Sequence, residues 1–303
     1  LEDYDQKVVL PHEGTRSEWV ADRMNLMAAA QSNYSPLLSI FRDDLRSSVG
    51  NIIRAIAGGE PTAVFTPPDM PQLRLWRVSD IGTIRVLQAA LKDAEIFIAD
   101  GHHRYEAALR YRSSVRAERE VEHDESINFR IMLMVSFDES GLITRGYHRL
   151  VESATDDELA GIIGSVEKSC DLERWSPSEG LSTAEQIEEF SVALGERENS
   201  EVTFGLFSKE PGKFHIARMK SPPPAENALE NSEYSHLHSH IIGPVIGEDR
   251  EENVISPHHD AGLIARQIES GTAQMAFIMR PVPLNEFVSI VTRGWRLPAK
   301  ATN

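Results

Sequence analysis

Apolar and polar positions in this chain switch repeatedly between a period near two and a period near 3.6, so short strands and helices should alternate. Residues 7–10 read as a strand, and the polar loop Pro11-His12-Glu13-Gly14-Thr15-Arg16 leads into a helix over about 18–30 that Thr15 or Ser17 could cap. A strand at 36–41 follows, then a helix over about 45–57 that ends at Gly58-Gly59, where glycine would supply a left-handed cap. Strands at 63–66 and 73–78 precede a helix over about 81–94. The apolar run Ile96-Phe97-Ile98-Ala99 then ends in Asp100-Gly101-His102-His103-Arg104-Tyr105-Glu106. A helix opens near His102 and runs toward residue 122 on the spacing of Tyr105, Ala108, Leu109 and Tyr111.

Further along, the apolar run 129–137, the turn Asp138-Glu139-Ser140-Gly141 and the run 142–151 read as a hairpin. A helix near 156–169, a strand near 171–175, a helix near 184–194 and a second hairpin, 202–207 with 214–219, come next. Pro222-Pro223-Pro224 is a stiff connector. Helices near 234–246, 260–270 and 284–292, with strands near 253–256 and 274–279, close the chain. This mixed order with hairpins predicts an α/β (mixed α+β) protein rather than a purely doubly wound sheet. The charged stretch 118–125 suggests a boundary, giving a phosphate-binding domain over 1–125 and an α+β domain over 126–303.

Composition narrows the class. The chain has 303 residues, 41% of them apolar, which is enough for substantial cores. Its 47 acidic and 31 basic residues leave a formal charge of −16, which argues against a surface that wraps nucleic acid. A lone cysteine, Cys170, at the end of a helix without a histidine nearby in sequence, reads as an ordinary buried thiol; with no second cysteine for an intrachain disulfide, the chain fits a reducing compartment and a cytoplasmic location is expected. No apolar run approaches the roughly 20 residues that cross a bilayer, so no membrane partner is expected. The start Leu1-Glu2-Asp3-Tyr4 and the end Lys300-Ala301-Thr302-Asn303 suggest trimming at both ends.

The densest chemistry is at residues 100–104. A strand that ends in a glycine turn and feeds a helix offers unpaired backbone N–H groups and the positive end of a helix dipole to an anion. Gly101, His102, His103 and Arg104 can cradle phosphate there, since an imidazole can donate to a phosphate oxygen and an arginine can grip one with two N–H groups. Asp100 could hold a metal ion or take a hydroxyl proton. The plainer reading of the same residues is a polar, capped helix start. The loop His12 to Arg16 has the same strand, loop, helix setting, with Glu13 a possible general base and Arg16 a second phosphate contact. Its use requires the two loops to meet in space. His148-Arg149 could add an anion contact, although a strand-end histidine is commonly structural. His236 and His240 share a helix face, but no cysteine or nearby carboxylate completes a tetrahedral set, and no metal site is expected. His258-His259-Asp260 should cap the helix that follows it.

These residues carry a resemblance. Pro11 to Arg16, Asp22-Arg23, Ile98 to Glu106, His148-Arg149-Leu150-Val151, His259-Asp260-Ala261 and Leu297-Pro298-Ala299-Lys300-Ala301-Thr302 together resemble the bacterial family called domain of unknown function 1015, over nearly the whole chain. That family usually has a further N-terminal segment and a terminal strand after the lysine, and tends to have histidine where Gly14 stands. The Asp-Gly-His-His-Arg turn is similar in turn to the phosphate motif of the ParB and sulfiredoxin superfamily, which includes a free-serine kinase. The resemblance implies a ParB/sulfiredoxin-like mixed sheet with flanking helices. It implies nucleotide phosphate, from ATP or ADP with Mg²⁺, held by Gly101, His102, His103 and Arg104 with His12 and Arg16 beside it. Asp100 would orient the acceptor, and Glu13 matches the kinase's catalytic glutamate.

The expected activity is therefore nucleotide-dependent phosphotransfer to a small hydroxyl compound such as free serine. One alternative is a regulatory protein that binds nucleotide without turnover. A second, a DNA-associated partition-like protein, is disfavoured by the acidic balance and the absence of a basic helix-turn-helix pattern.

Overall fold

The computed structural model describes residues 1–42, 48–68, 70–137, 139, 141–142, 145–197, 201–208, 213–222, 230, 232–282 and 284–294. It forms two compact units, Leu1–Leu142 and Ile143–Asn303.

The first unit runs β1 (Val9–Pro11), α1 (Ser17–Ala30), β2 (Leu37–Phe41), α2 (Ser48–Ala57), β3 (Ala63–Phe65), β4 (Leu73–Leu75), α3 (Ile81–Leu91), β5 (Ile96–Asp100), α4 (His102–Glu118) and β6 (Met132–Ser136). Its main sheet has the order β1-β5-β2-β6, with β1 parallel to β5, β5 antiparallel to β2, and β2 parallel to β6. β3 and β4 form a separate antiparallel pair. Val9, Leu37, Ile98, Tyr105 and Leu109 form a core cluster, bringing three strands onto the inner face of α4. Tyr105 is fully buried, and its hydroxyl donates to Glu2 O at 2.7 Å and accepts from Glu2 N at 3.0 Å. That pair of bonds satisfies a polar atom which would otherwise be costly to bury.

Four local expectations change here. The runs 129–137 and 142–151 do not pair as a hairpin: β6 runs from Leu37↔Met132 to Phe41↔Ser136 beside β2, whereas β7 (His148–Val151) lies in the sheet of the second unit. An apolar strand shows its buried face in its own sequence but not its partner, and a distant parallel neighbour offers as complete a ladder as a local turn. Much of the expected turn, including residues 138 and 140, lies outside the described residues. The division expected near residue 125 falls inside the first unit, whose edge strand β6 follows it. α1 starts from Arg16 with no side-chain cap, so neither Thr15 nor Ser17 serves as one. α2 closes through Gly58 N–H to Arg54 O at 3.0 Å without a left-handed glycine. The expected start of that helix, residues 45–47, lies outside the described residues.

The second unit contains β7, α5 (Asp156–Ser169), β8 (Cys170–Trp175), α6 (Thr183–Gly195), β9 (Thr203–Ser208) and β10 (Lys213–Met219). α7 (Glu233–His236), a π-helical stretch Leu237–Ile242, α8 (Gly243–Ile246), α9 (Glu248–Val254), β11 (Ile255–His258), α10 (Ala261–Ser270), β12 (Met275–Ile278) and α11 (Leu284–Thr292) follow. Its six strands are antiparallel in the order β11-β7-β12-β9-β10-β8, and β9 with β10 is the expected hairpin. Alternate residues divide between two cores: Met275 and Phe277 pack on one face, Ala276 and Ile278 on the other. A sheet covered on both faces explains why β12 reads as unbroken apolar sequence. Thr155 with Glu158, and Ser182 with Glu185, form capping boxes that start α5 and α6, and the Asp260 side chain accepts from Leu263 N–H to start α10. Among the described residues no helix is long and apolar enough to cross a membrane.

Candidate functional site

The turn between β5 and α4 needs glycine for two reasons. Gly101 has φ +103°, in the left-handed region that side chains avoid. A Cβ there would also lie 2.6 Å from Leu37 Cδ2 and 2.9 Å from Arg104 Nη2. Arg104 folds back under the turn: Nη2 donates to Asp100 Oδ2 at 2.5 Å, and Nη1 donates to Pro36 O at 2.6 Å and Ser35 O at 3.1 Å. The guanidinium thus clamps the start of β2 to the end of β5. One Nη2 proton and Nε–H are not used by these three bonds, so what Arg104 can offer a phosphate is smaller than five donors suggest.

The two polar loops meet, and the histidines join them. His102 opens α4 with its side chain buried, and its Nε2 accepts from His12 N–H at 3.3 Å. His103 Nε2 accepts from Arg16 N–H at 3.0 Å. A ring nitrogen that accepts carries no proton, so both neutral imidazoles hold theirs on Nδ1. Nδ1 of His102 faces Glu13 Oε2 across 3.7 Å. Partial burial, then the charges of Arg16 and Arg23, lower the His103 pKa and favour this neutral form.

His12 lies behind them. Its ring is edge-on to that of His102, with centroids 4.4 Å apart, and its Nδ1 donates to Ile98 O at 2.7 Å. Burial pushes its pKa down to about 4. Trp19, one turn into α1, contacts the His103 ring at 5.0 Å, and the Arg16 guanidinium lies 5.5 Å from the Trp19 ring centre.

Glu13, Asp100, Gly101, His102, His103 and Arg104 all line one cavity of about 440 Å³, whose walls also include Trp19, Asp22 and Arg23. His12 supports this wall from behind, and Arg16 reaches the site through its backbone N–H and its contact with Trp19. The reading of residue types did not assign Trp19 a role. Its position in the first turn of the helix that follows the His12 to Arg16 loop was the available signal.

His12, Glu13 and His102 each place one ligand atom within 4.8 Å of the others. The hydrogen bonds argue against a cation at that point. His102 Nε2 already accepts from a backbone N–H, so Nδ1 carries the proton that a metal would have to displace. The trio reads instead as a polar chain leading to the Glu13 carboxylate.

The other candidates lie in the second unit. Arg149 is 2% exposed, and its Nε donates to His238 Nε2 at 3.1 Å. His236 is buried, and its ring centre is 5.5 Å from that of His240. Neither belongs to a group able to hold a metal among the described residues. Cys170 is buried and its thiol pushed up to about 11, an inert state. The late motif 297–302 lies outside the described residues.

None of the curated proteins compared matches this chain. Among solved structures, a conserved hypothetical protein from Pyrococcus furiosus is 13% identical with a TM-score of 0.42, covering 98% of this chain and 86% of its own. A free serine kinase in complex with AMP is 13% identical with a TM-score of 0.43, covering 98% and 83%. SbnI with a C-terminal truncation, from Staphylococcus aureus, is 8% identical with a TM-score of 0.45, covering 98% and 78%. The family model described as protein of unknown function (DUF1015) matches residues 1–239, a span that takes in the Gly101 turn and the loop it joins, and the chain belongs to that family.

Proposed function

We propose that the cavity at the Gly101 turn binds the phosphates of a nucleotide and transfers the terminal phosphoryl group to a small hydroxyl compound. The observation that carries this reading is the convergence of Glu13 with the N-terminus of α4 on one cavity, which puts a carboxylate beside an anion-binding helix end. The early backbone N–H groups of α4, the His103 Nδ1–H and the remaining Arg104 donors face negative charge; Glu13 takes the acceptor proton. The acceptor oxygen forms a bond to phosphorus, the bond to the bridging oxygen breaks, and its electron pair leaves with the nucleotide. Mg²⁺ needs oxygen ligands, and Asp100 Oδ1, which Arg104 does not engage, fits that need. When bound, the ion neutralises phosphate charge.

Calorimetry with ATP, ADP and CTP in Mg²⁺ tests binding, and phosphate transfer to serine and other alcohols tests turnover. Glu13→Gln should lower turnover by about 10²–10⁴-fold while leaving nucleotide affinity intact. Nucleotide binding with no turnover in the natural chain would favour the regulatory reading, and no nucleotide binding would remove both.

A further inference from the structure

A second cavity, of about 360 Å³, shares Arg23 and Arg104 with the first and has Arg130, Tyr34, Leu26 and Met27 in its own walls. Among the described residues three arginines line it and no acidic residue does, in a chain with sixteen surplus negative charges. Their charges are met unequally. Arg104 is paired with Asp100 at 2.5 Å, and Arg23 lies 3.4 Å from Asp22, both side chains more than half exposed.

Arg130 has no carboxylate within 4.0 Å among the described residues. Its bonds go to neutral oxygens: Nη1 to Asn33 Oδ1, Nη2 to Tyr34 O at 2.8 Å and to Ser35 O at 3.2 Å, while Nε is buried without a partner. Arg104 donates to the same Ser35 carbonyl, so two guanidinium groups converge on one oxygen. Partial burial and the charge of Arg104 both act against the Arg130 cation. A guanidinium stays charged at any ordinary pH, so the arrangement keeps an uncompensated, half-buried positive charge at a cavity wall. An arriving anion removes that penalty. The side chains of Leu26, Met27 and Tyr34 give a short carbon skeleton an apolar surface to lie on.

We propose that this cavity is an anion subsite which takes the carboxylate or phosphate carried by the hydroxyl acceptor, with Arg130 as the selecting charge. The inference deepens the phosphotransfer reading and rests on it for the identity of the ligand as acceptor. Because the two cavities share Arg23 and Arg104, an anion held at Arg130 leaves the hydroxyl end of a short molecule to reach toward the phosphate side. The class selected is a small hydroxy acid or a phosphorylated small alcohol, over neutral polyols.

The test is calorimetry on the full chain, with ADP and Mg²⁺ first, then with glycerate, glycerol 3-phosphate, inorganic phosphate and glycerol, each with and without ADP. Glycerate or glycerol 3-phosphate should bind at least tenfold more tightly than glycerol, and whichever binds better identifies the group as carboxylate or phosphate. Arg130→Gln should cost that ligand about tenfold and leave ADP affinity within twofold. Because Arg130 also braces residues 33–35, Leu26→Trp provides a second variant, which fills the cavity and leaves every arginine in place; it should cause the same loss. If ADP binds and no anionic compound exceeds glycerol, or inorganic phosphate alone does, the acceptor subsite is overturned and the nucleotide reading stands. If ADP fails to bind while an anionic hydroxyl compound binds through Arg130, the subsite stands and the nucleotide reading falls.

Discussion

Two histidine-arginine pairs, His103-Arg104 in the first turn of α4 and His148-Arg149 at the start of β7, use the same side chains for opposite ends. At the first, the imidazole accepts a backbone N–H from another loop, and Arg104 clamps two strands while lining an open cavity. At the second, His148 Nδ1 accepts from Met279 N–H at 3.1 Å, and Arg149 donates to His238 Nε2 and to Tyr147 O at 2.9 Å. Its guanidinium also lies 4.5 Å from the Tyr234 ring centre. His238 in turn pairs with Glu251, and the Tyr234 ring stacks on it at 4.1 Å. Arg149 is thus compensated inside the protein, where the arginines of the first unit leave charge facing a cavity. Residue type does not separate a site from a scaffold here. The separation comes from whether the protein itself supplies every partner.

The largest expected effect breaks the scaffold side of this comparison. Arg149→Ala should destabilise the second unit by about 3–5 kcal/mol, because it empties a buried site and leaves the partly buried His238 and Glu251 without the cation they were arranged around. Denaturant titration followed at two wavelengths should show the loss. A change below about 1 kcal/mol would mean that Arg149 is not part of an internal network. Arg104→Ala should cost less stability, since Asp100 and the carbonyls of Ser35 and Pro36 can turn to water, and more in nucleotide affinity.

A second prediction reaches both regions through pH. Burial pushes His12 and His148 each down to about 4, from an unfolded value near 6.5. Their folded pKa lies below the unfolded one, so the stabilisation is complete above pH 6.5 and is lost as pH falls from there toward 4. The full loss for each is of order 3 kcal/mol. Histidine proton resonances followed by NMR should show two rings still neutral at pH 5. Either ring titrating near 6.5 would contradict the burial assigned to it.

Local signals in the sequence reached far in this chain, and stopped where distant residues decide. The strand, glycine and helix at 96–118 were legible because periodicity and backbone need coincide at Gly101, and the Asp260 cap of α10 was legible because the N–H it accepts from lies three residues on. Glu13, Asp100 and the 101–104 turn stood out by residue type, and they do line one cavity. The direction of the histidines was not legible, since His102 and His103 are recognised as loop staples only once β1 and β5 are known to be parallel neighbours. The clamp made by Arg104 depends on Ser35 and Pro36, and the Arg130 cavity on a residue far from every motif. β6 misled for the same reason: its partner is β2, not the run that follows it.

The smallest stability effect makes the sharpest test of the comparison, because it touches the site and leaves the scaffold alone. Gly101→Ala forces a methyl group into a left-handed position, at a cost of about 1–3 kcal/mol for the backbone alone. The new Cβ would press on Leu37 Cδ2 and on the Arg104 guanidinium, and neither can withdraw freely: Leu37 is fully buried and Arg104 is held by three bonds. The easier relief is for Arg104 to swing away, which unclamps β2 from β5 and changes both cavities that Arg104 lines. Nucleotide affinity should therefore fall at least tenfold, while the second unit melts as before. Unchanged affinity in a folded Gly101→Ala variant would show that the turn is structural, and the difference drawn between the two histidine-arginine pairs would lose its basis.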